Sequence, residues 1–366
     1  MGSESEYQKM SAPDRAEHLW RYTPWHRIHP TGNPDDIPVE LSPALVNLSL
    51  LDGSEAPEEV TISALDNDIE RDVNDDIAAA FIRALPASGA VKVTIPDGMV
   101  LDQPLLLTIE GGGDISGIQI EISVGSNSQT ELLTIIESGV NWFGLLRSGT
   151  IHPSAIFNDI VLNRLEDTKL LRIEQFNLLS DCQAKFGTIG VGGSRTKGDL
   201  RYFLTGNGAN LQVNGSIFSA GEQHNDHHVE IMHEISHTYS RLKWHSSCSD
   251  KSRTIGTGML RIAHGAKGSD SAQVFNNLLL SRDAEADSIP ELEVLENEVV
   301  GCGHGTANGP IDEGQMFYLQ SRGFSESEAQ DLLVASFLNA TMKEMGGNTI
   351  HNWLDKLILG GAYTQT

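Results

Sequence analysis

Cysteine is nearly absent from this 366-residue chain: Cys182, Cys248 and Cys302 are the full set, and no C-x-x-C spacing occurs. That excludes a disulfide framework and a self-contained zinc ribbon, and fits a reducing compartment. Long apolar runs are missing as well, none approaching the roughly 18 residues a membrane-spanning helix needs. The start, Met1-Gly2-Ser3-Glu4-Ser5-Glu6, is acidic where a secretory signal would be basic and then apolar. A cytoplasmic location with no membrane contact is expected. Basic charge is scarce: 25 Lys and Arg stand against 50 Asp and Glu, a formal net charge of −25. Such a balance repels phosphate backbones, because nucleic-acid affinity rests on cations that displace counterions. No nucleic-acid partner is expected. A G-x-x-x-x-G-K-[ST] loop is also missing, so ATP hydrolysis by this chain is not expected.

What is present suffices for a folded core, with 39% hydrophobic residues, and 36 Gly that follow no G-x-y period. The stretch 31–80 holds thirteen Asp and Glu against the single Arg71. This reads as a solvated acidic surface, with docking of a basic partner as the sharper alternative. Before it, Ser11, Pro13 and Asp14 have the spacing of a helix start and Pro24 that of a stop, which predicts a short opening helix. The aromatic segment Trp20-Arg21-Tyr22-Thr23-Pro24-Trp25 then reads as a packed strap.

From about residue 90 to 300, short alternating runs are broken by Gly, Asn, Asp or Ser, among them 91–95, 117–122 and 210–215. These read as strands. Further strands near Leu211, Ile231, Thr254, Val274 and Val294 recur at a spacing of roughly 20–23 positions, a period in the solenoid range. A right-handed parallel β-helix is therefore expected, with a β-sandwich as the alternative. The expected organisation is an N-terminal helical and acidic region over 1–85, a β-helix core over 86–305, and a C-terminal helical domain over 306–366. In that last part Asp312 to Gln320 reads as a short helix stopped at Gly323. Ser325-Glu326-Ser327-Glu328 forms a capping box that opens a second helix carrying Leu332, Leu333, Phe337, Met342 and Met345, closed at Gly346-Gly347. A third helix is expected from Ile350 to Leu359. The Met and Leu stripe reads as packing, with a partner protein as the other candidate for covering it.

Two constellations look like chemistry. His233-Glu234-Ile235-Ser236-His237 matches H-E-x-x-H, which on a helix places two zinc-binding imidazoles on one face around a general base. The alternation from Val229 to Tyr239 instead predicts a strand, on which positions four apart stand about 13 Å from each other. One zinc cannot bridge them with bonds of about 2 Å. Ser240 and Lys243 also stand where the longer zincin motif needs Gly and His. A zinc-dependent hydrolase using His233 and His237 remains the alternative reading. His224, His227, His228, His233, His237 and His245 crowd into one short stretch, so an iron or zinc site is weighed against ordinary buried histidines. The second constellation is Cys302-Gly303-His304-Gly305, where the strand pattern ends. A thiol and an imidazole two apart on a strand face the same side, and flanking glycines let another chain approach. This is half of a soft-metal site, and a Cys-His hydrolase is the competing thought. Asn163, Asp167, Asn276 and Asn277 read as turn or ladder residues.

The stretch Ala266-Lys267-Gly268-Ser269-Asp270 through Asn276-Asn277-Leu278-Leu279-Leu280-Ser281 resembles the SufD family of the SUF iron-sulfur cluster assembly system, within the SufB/SufD superfamily. So do Pro290-Glu291-Leu292-Glu293-Val294, Cys302-Gly303-His304-Gly305-Thr306, Phe317-Tyr318-Leu319-Gln320-Ser321-Arg322-Gly323 and the Trp20-Arg21-Tyr22-Thr23-Pro24 strap. The short Cys-Gly-His-Gly junction and the ending Trp353-Leu354-Asp355-Lys356-Leu357 look more like SufD than like the related SufB. The resemblance implies a β-helical, non-catalytic scaffold subunit that pairs with a SufB-like subunit and docks the SufC ATPase. It places His304, and with it Cys302, at the interface where iron or a nascent iron-sulfur cluster is shared with SufB. It assigns ATPase docking to the helices from Asp312 to Met345, with Asp312, Phe317, Tyr318, Arg322 and Phe337 as contact residues. A reduced flavin in the assembled complex is implied as a further cofactor, and a homodimer of the isolated chain is the alternative assembly. Gly301 stands where the family often has Lys, and Val299 where it often has an acid.

Overall fold

The computed structural model describes residues 6–39, 41–65, 67–69, 76–86 and 89–357. Of the acidic stretch, residues 40, 66 and 70–75 lie outside the described residues, as do the first five residues and the expected helix end at Leu359.

Sheet A contains β1 (Ser42–Leu50), β4 (Leu105–Gly112), β6 (Gln129–Ser138), β8 (Ile156–Leu165), β10 (Gln183–Val191), β12 (Asn210–Ser219), β14 (Tyr239–Cys248), β16 (Asp270–Leu279) and β18 (Gly301–Gly309), in that spatial order. Sheet B runs from β2 (Thr61–Ala64) through β3 (Gly89–Ile95), β5 (Ile115–Val124), β7 (Trp142–Ile151), β9 (Lys169–Leu178), β11 (Arg195–Leu204), β13 (His224–His233) and β15 (Arg253–Ile262) to β17 (Glu285–Val294). From β3 onward the chain alternates between the sheets and successive rungs pair in parallel, so each turn stacks on the one before it. This is the expected β-solenoid. At its start the ladder is closed by antiparallel strands, β1 on β4 and β2 on β3. Both of these strands lie before residue 85, in the stretch expected to be helical and acidic.

The repeat differs from the one read in the sequence. Left-handed backbone recurs at Gly98, Asn127, Ser154, Asp181, Gly208, His237 and Gly268, in every turn from sheet B to sheet A between β3 and β16. Side chains that face each other across successive rungs confirm the longer interval: Glu131 and Asn158 are 27 apart in the chain, Lys197 and Asp226 are 29 apart, and Ser240 and Ser271 are 31 apart. That interval is the true rung. The shorter spacing arises because β12, β13, β15, β16 and β17 mix the two sheets and skip β14.

Alternate residues of both sheets point into a shared interior, from Val93 and Leu107 to Phe275, which forms one continuous apolar core. On the outer face of sheet B, helix α1 (Trp25–Ile28) and helix α2 (Ile77–Ala84) bury Trp20, Trp25 and Phe81 against Trp142, Leu146 and Leu171. The opening helix expected between Ser11 and Pro24 is reduced to a 3-10 turn at His18–Trp20, and the regular turns begin after Pro24. Pro24 precedes a helix because its fixed φ suits a start as well as a stop. On the outer face of sheet A lie α3 (Glu313–Ser321), α4 (Glu326–Met342) and α5 (Asn348–Leu357). Val334, Leu338, Met342 and Met345 pack on Leu133, Ile160, Leu162 and Ile189. Most of the Met and Leu stripe is thus covered from within the chain, while Leu332 stays exposed. The Ser325 and Glu328 capping box is formed.

The interior also holds charge. Arg147 on β7 pairs with Asp159 on β8 and donates to Glu174 on β9 at 2.8 Å, while Arg172 reaches Glu174 at 2.7 Å and Thr188 at 3.1 Å. All four ionic side chains are at most 2% exposed. Burial alone would raise both carboxyls; two guanidiniums reverse this at Glu174, which lies below its usual value, whereas Asp159 remains above its own. Removing one member of such a group strands the others in a low dielectric. Arg147→Ala should therefore lower the unfolding free energy by about 3–5 kcal/mol in urea titrations, and a loss below about 1 kcal/mol would show the network to be dispensable.

Candidate functional site

The last rung has no successor among the described residues. β13, in the body of the solenoid, is buried at every position but Glu230, whereas neither β17 nor β18 has a single buried residue. β18 pairs with β16 on one side, and its other edge has no strand partner among the described residues. An unpaired edge displays a row of backbone donors and acceptors ready for another strand.

Register decides which side chains this end presents. Cys302 lies opposite Ser271, His304 opposite Gln273, Thr306 opposite Phe275 and Asn308 opposite Asn277. Those four residues of β16 are all buried and belong to the inward face, so Cys302 and His304 continue the interior column. They are accessible because no further rung among the described residues stacks on them. Cys302 is half-buried against the core, and burial raises its thiol pKa above the ordinary value. His304 is exposed, and neither side chain has a hydrogen-bond partner among the described residues. A Cβ added at Gly303 or Gly309 would meet nothing within 4 Å, so the backbone here is open to close approach. Just beneath, Gln273 Oε1 is buried without a partner, and Asn277 donates to Ser288 at 2.8 Å and to Asn308 at 2.7 Å. Val294, Leu295 and Val300 form an exposed apolar rim, Val300 at 73%.

The second sequence-derived site does not assemble as a zinc motif. The strand expected to run from 229 to 239 ends at His233, the chain turns over 234–238, and β14 starts at Tyr239. His233 points inward, with Nδ1 2.7 Å from the Thr238 hydroxyl and Nε2 2.8 Å from that of Ser240. Both ring nitrogens are thus occupied. His237 takes the left-handed turn position, with φ 58°, that Asn127 and Asp181 hold in earlier rungs. Its spacing from His233 reflects the turn. His224 bonds the Thr23 hydroxyl at 2.9 Å, His228 the Thr257 hydroxyl at 2.9 Å, and His227 packs its ring on Trp244. His245 bonds the Phe337 carbonyl at 2.8 Å and stacks on its ring, so it ties α4 to sheet A. No three His, Cys, Asp or Glu side chains among the described residues converge as a metal site. No helix among them is long and apolar enough to cross a membrane. Asn276 and Asn277 are ladder residues as read, and Asn163 is buried in β8.

The residues expected to dock a partner divide in two. Asp312 caps α3 by accepting from the Gln315 amide at 2.8 Å. Phe317 and Tyr318 project from α3 at 72% and 56% exposure, with Arg322 over the Tyr318 ring, and no residue of α3 is buried. Phe337, by contrast, is used internally on His245.

Fold and site together define a parallel β-solenoid that, among the described residues, is capped at one end, open at the other, and flanked by a partly uncovered helical appendage. Residues 110–337 match the domain described as SUF system FeS cluster assembly, SufBD core domain. The chain belongs to this SufBD family. It is 25% identical over 259 residues to an iron-sulfur cluster assembly SufBD family protein of Mycobacterium bovis, a match covering 68% of this chain and 65% of that protein. It is 30% identical over 160 residues to the iron-sulfur cluster assembly protein SufD of Escherichia coli, covering 44% of this chain and 38% of that one. A SufBD family protein of Mycobacterium leprae is 30% identical over 165 residues, 43% of this chain and 42% of its own length. Each match spans less than two thirds of the relative's length.

The buried imidazoles set a pH dependence. Burial, before any charge effect, pushes His224 and His233 down to about 4 and His227 to about 3 from the ordinary 6.5. A depressed folded pKa means the unfolded chain binds the extra proton, so their contribution is complete above pH 6.5 and is lost as pH falls toward 4. Urea unfolding at pH 6.5 and 5 should show His227 alone accounting for about 2 kcal/mol of the loss, at about 1.4 kcal/mol per pH unit. An unchanged midpoint over that range would contradict the buried placement.

Proposed function

We propose that the chain is a non-hydrolytic scaffold subunit of an iron-sulfur cluster assembly complex, and that its open end is completed by a SufB-like subunit. The observation that carries this reading is the final rung: Cys302 and His304 stand without partners among the described residues, on the inward face of an unpaired edge strand, inside an apolar rim. Two such edges can join by main-chain hydrogen bonds, which would cover the interior of both solenoids at once. A thiolate and an imidazole are suited to iron and sulfide, and two ligands leave the remaining coordination positions to the partner. Iron or a nascent cluster is the cargo here, shared across the junction. The raised Cys302 thiol pKa favours the protonated form until a metal or a cationic partner group draws the proton off.

The uncovered α3 supplies the second contact, a docking face for the SufC-type ATPase built from Phe317, Tyr318 and Arg322. Because α4 and the turn after it are bolted to sheet A through Thr341, Glu344 and the His245–Phe337 pair, movement of the docked ATPase is transmitted to the sheet that ends in β18. A reduced flavin enters this proposal as a component of the assembled complex; no residue of this chain is assigned to it and no step passes through it.

His304→Ala should leave the complex with the partner subunit intact on co-purification and reduce cluster formation, read from visible absorbance, by at least tenfold. Phe317→Ser combined with Tyr318→Ser should release the ATPase while the solenoid pair survives. Undiminished cluster formation in His304→Ala, or an ATPase retained by the double variant, would refute the corresponding half of the reading.

A further inference from the structure

This chain carries twice as many acids as bases, yet one corner of sheet B gathers cations. Lys169, Arg195, His224 and Arg253 are the first residues of β9, β11, β13 and β15, and the register sets each directly opposite the next. Parallel strands stand about 4.8 Å apart, so the four form a column about 14 Å long on one face. The N-terminal strap lays further guanidiniums beside it. Arg27 lies close enough to Arg195 to depress its pKa, and Arg15 and Arg21, with Ala16, Tyr22 and Arg253, line an open cleft of about 640 Å³.

Nearby carboxylates neutralise only part of this group. Asp287 and Glu285 hold Arg253 at 2.6 and 3.1 Å, which fixes it as a wall of the cleft. Asp226 accepts from Lys197 at 3.0 Å and from the Thr23 hydroxyl at 2.7 Å. Arg15, Arg21, Arg27, Arg195 and Lys169 have no ion-pair partner among the described residues, and Arg195 Nη1 is buried with no hydrogen-bond acceptor. Burial and then mutual repulsion hold Lys169, Arg195 and His224 below their ordinary pKa values, although Asp226 opposes the shift at Arg195 and His224. Positive charge only partly compensated attracts a multiply charged anion of matching geometry, and the planar fork of arginine suits phosphate oxygens.

We propose that this cleft binds a small polyanion of the phosphate class, contacted by Arg15, Arg21 and the fixed Arg253, with the cation column behind them. The site shares no residue with the β18 mouth and stands independently of the assembly reading.

Calorimetric titration of the full chain at low ionic strength with inorganic pyrophosphate, and separately with adenosine monophosphate, tests it. Saturable binding at one site is expected, weakened by added salt and by at least tenfold in an Arg15→Ala and Arg21→Ala double variant. Both residues are exposed on the strap, so thermal melting should be unchanged and the loss attributable to the cleft. Tighter binding of the nucleotide identifies an organic phosphate as the ligand, and equal or tighter binding of pyrophosphate an inorganic one; either supports the proposal. Failure of both probes to saturate, equal affinity in the double variant, or an arginine-dependent preference for a polyglutamate peptide would overturn it.

Discussion

In the in-register parallel ladder, each rung satisfies its backbone groups on the rungs before and after it, and each inward side chain is covered by its counterparts there. Such a ladder cannot satisfy its own last member. The N-terminal end solves the problem by turning strands back antiparallel, β1 and β2 capping the two sheets. Among the described residues the C-terminal end has no such cap, and there an interior thiol and imidazole reach the surface. The site therefore needs no special loop or pocket. It is the cross-section of the core, uncovered among the described residues.

The same stacking explains how buried charge is accommodated. Arg147, Asp159 and Glu174 come from three strands in two sheets, and the rise of one rung brings them within bonding distance. A buried ionic group of this kind adds less to stability than an apolar core of equal volume, but it penalises any slip in register, because a shift of one residue sends every charge to the opposite face. The column of Lys169, Arg195, His224 and Arg253 follows from the same register at the strand starts, where among the described residues carboxylates form ion pairs within 4 Å with Arg253 alone.

Strand content, the C-terminal capping box and the junction at Cys302 and His304 are legible in the sequence, because each rests on a local pattern: alternation, S-x-x-E spacing, glycines beside two reactive side chains. Whatever depends on register is concealed. Arg147 and Arg172 look like outward charges in alternating strands, and their burial follows from Asp159 and Glu174 one strand or one rung away. The cation column is invisible in one dimension, since its members sit on successive rungs and are far apart in the chain. The rung length is hidden because strands of the two sheets look alike when side-chain direction is unknown. Pro24 reads as a stop yet opens α1, a proline ambiguity that local sequence does not resolve.

The H-E-x-x-H segment shows why geometry must precede motif. A single rung places a strand end, a left-handed turn residue and a new strand in quick succession, so His233 and His237 fall into different structural roles. One imidazole is locked between two hydroxyls, and the other occupies a position that Asn, Asp, Ser and Gly fill in the other rungs. Their shared feature is the turn, which recurs with the period of the solenoid. Chemistry in such a fold follows the same logic: a side chain becomes available where the stack is interrupted, as at Cys302 and His304, and an apparently reactive residue within the stack is consumed by its neighbours.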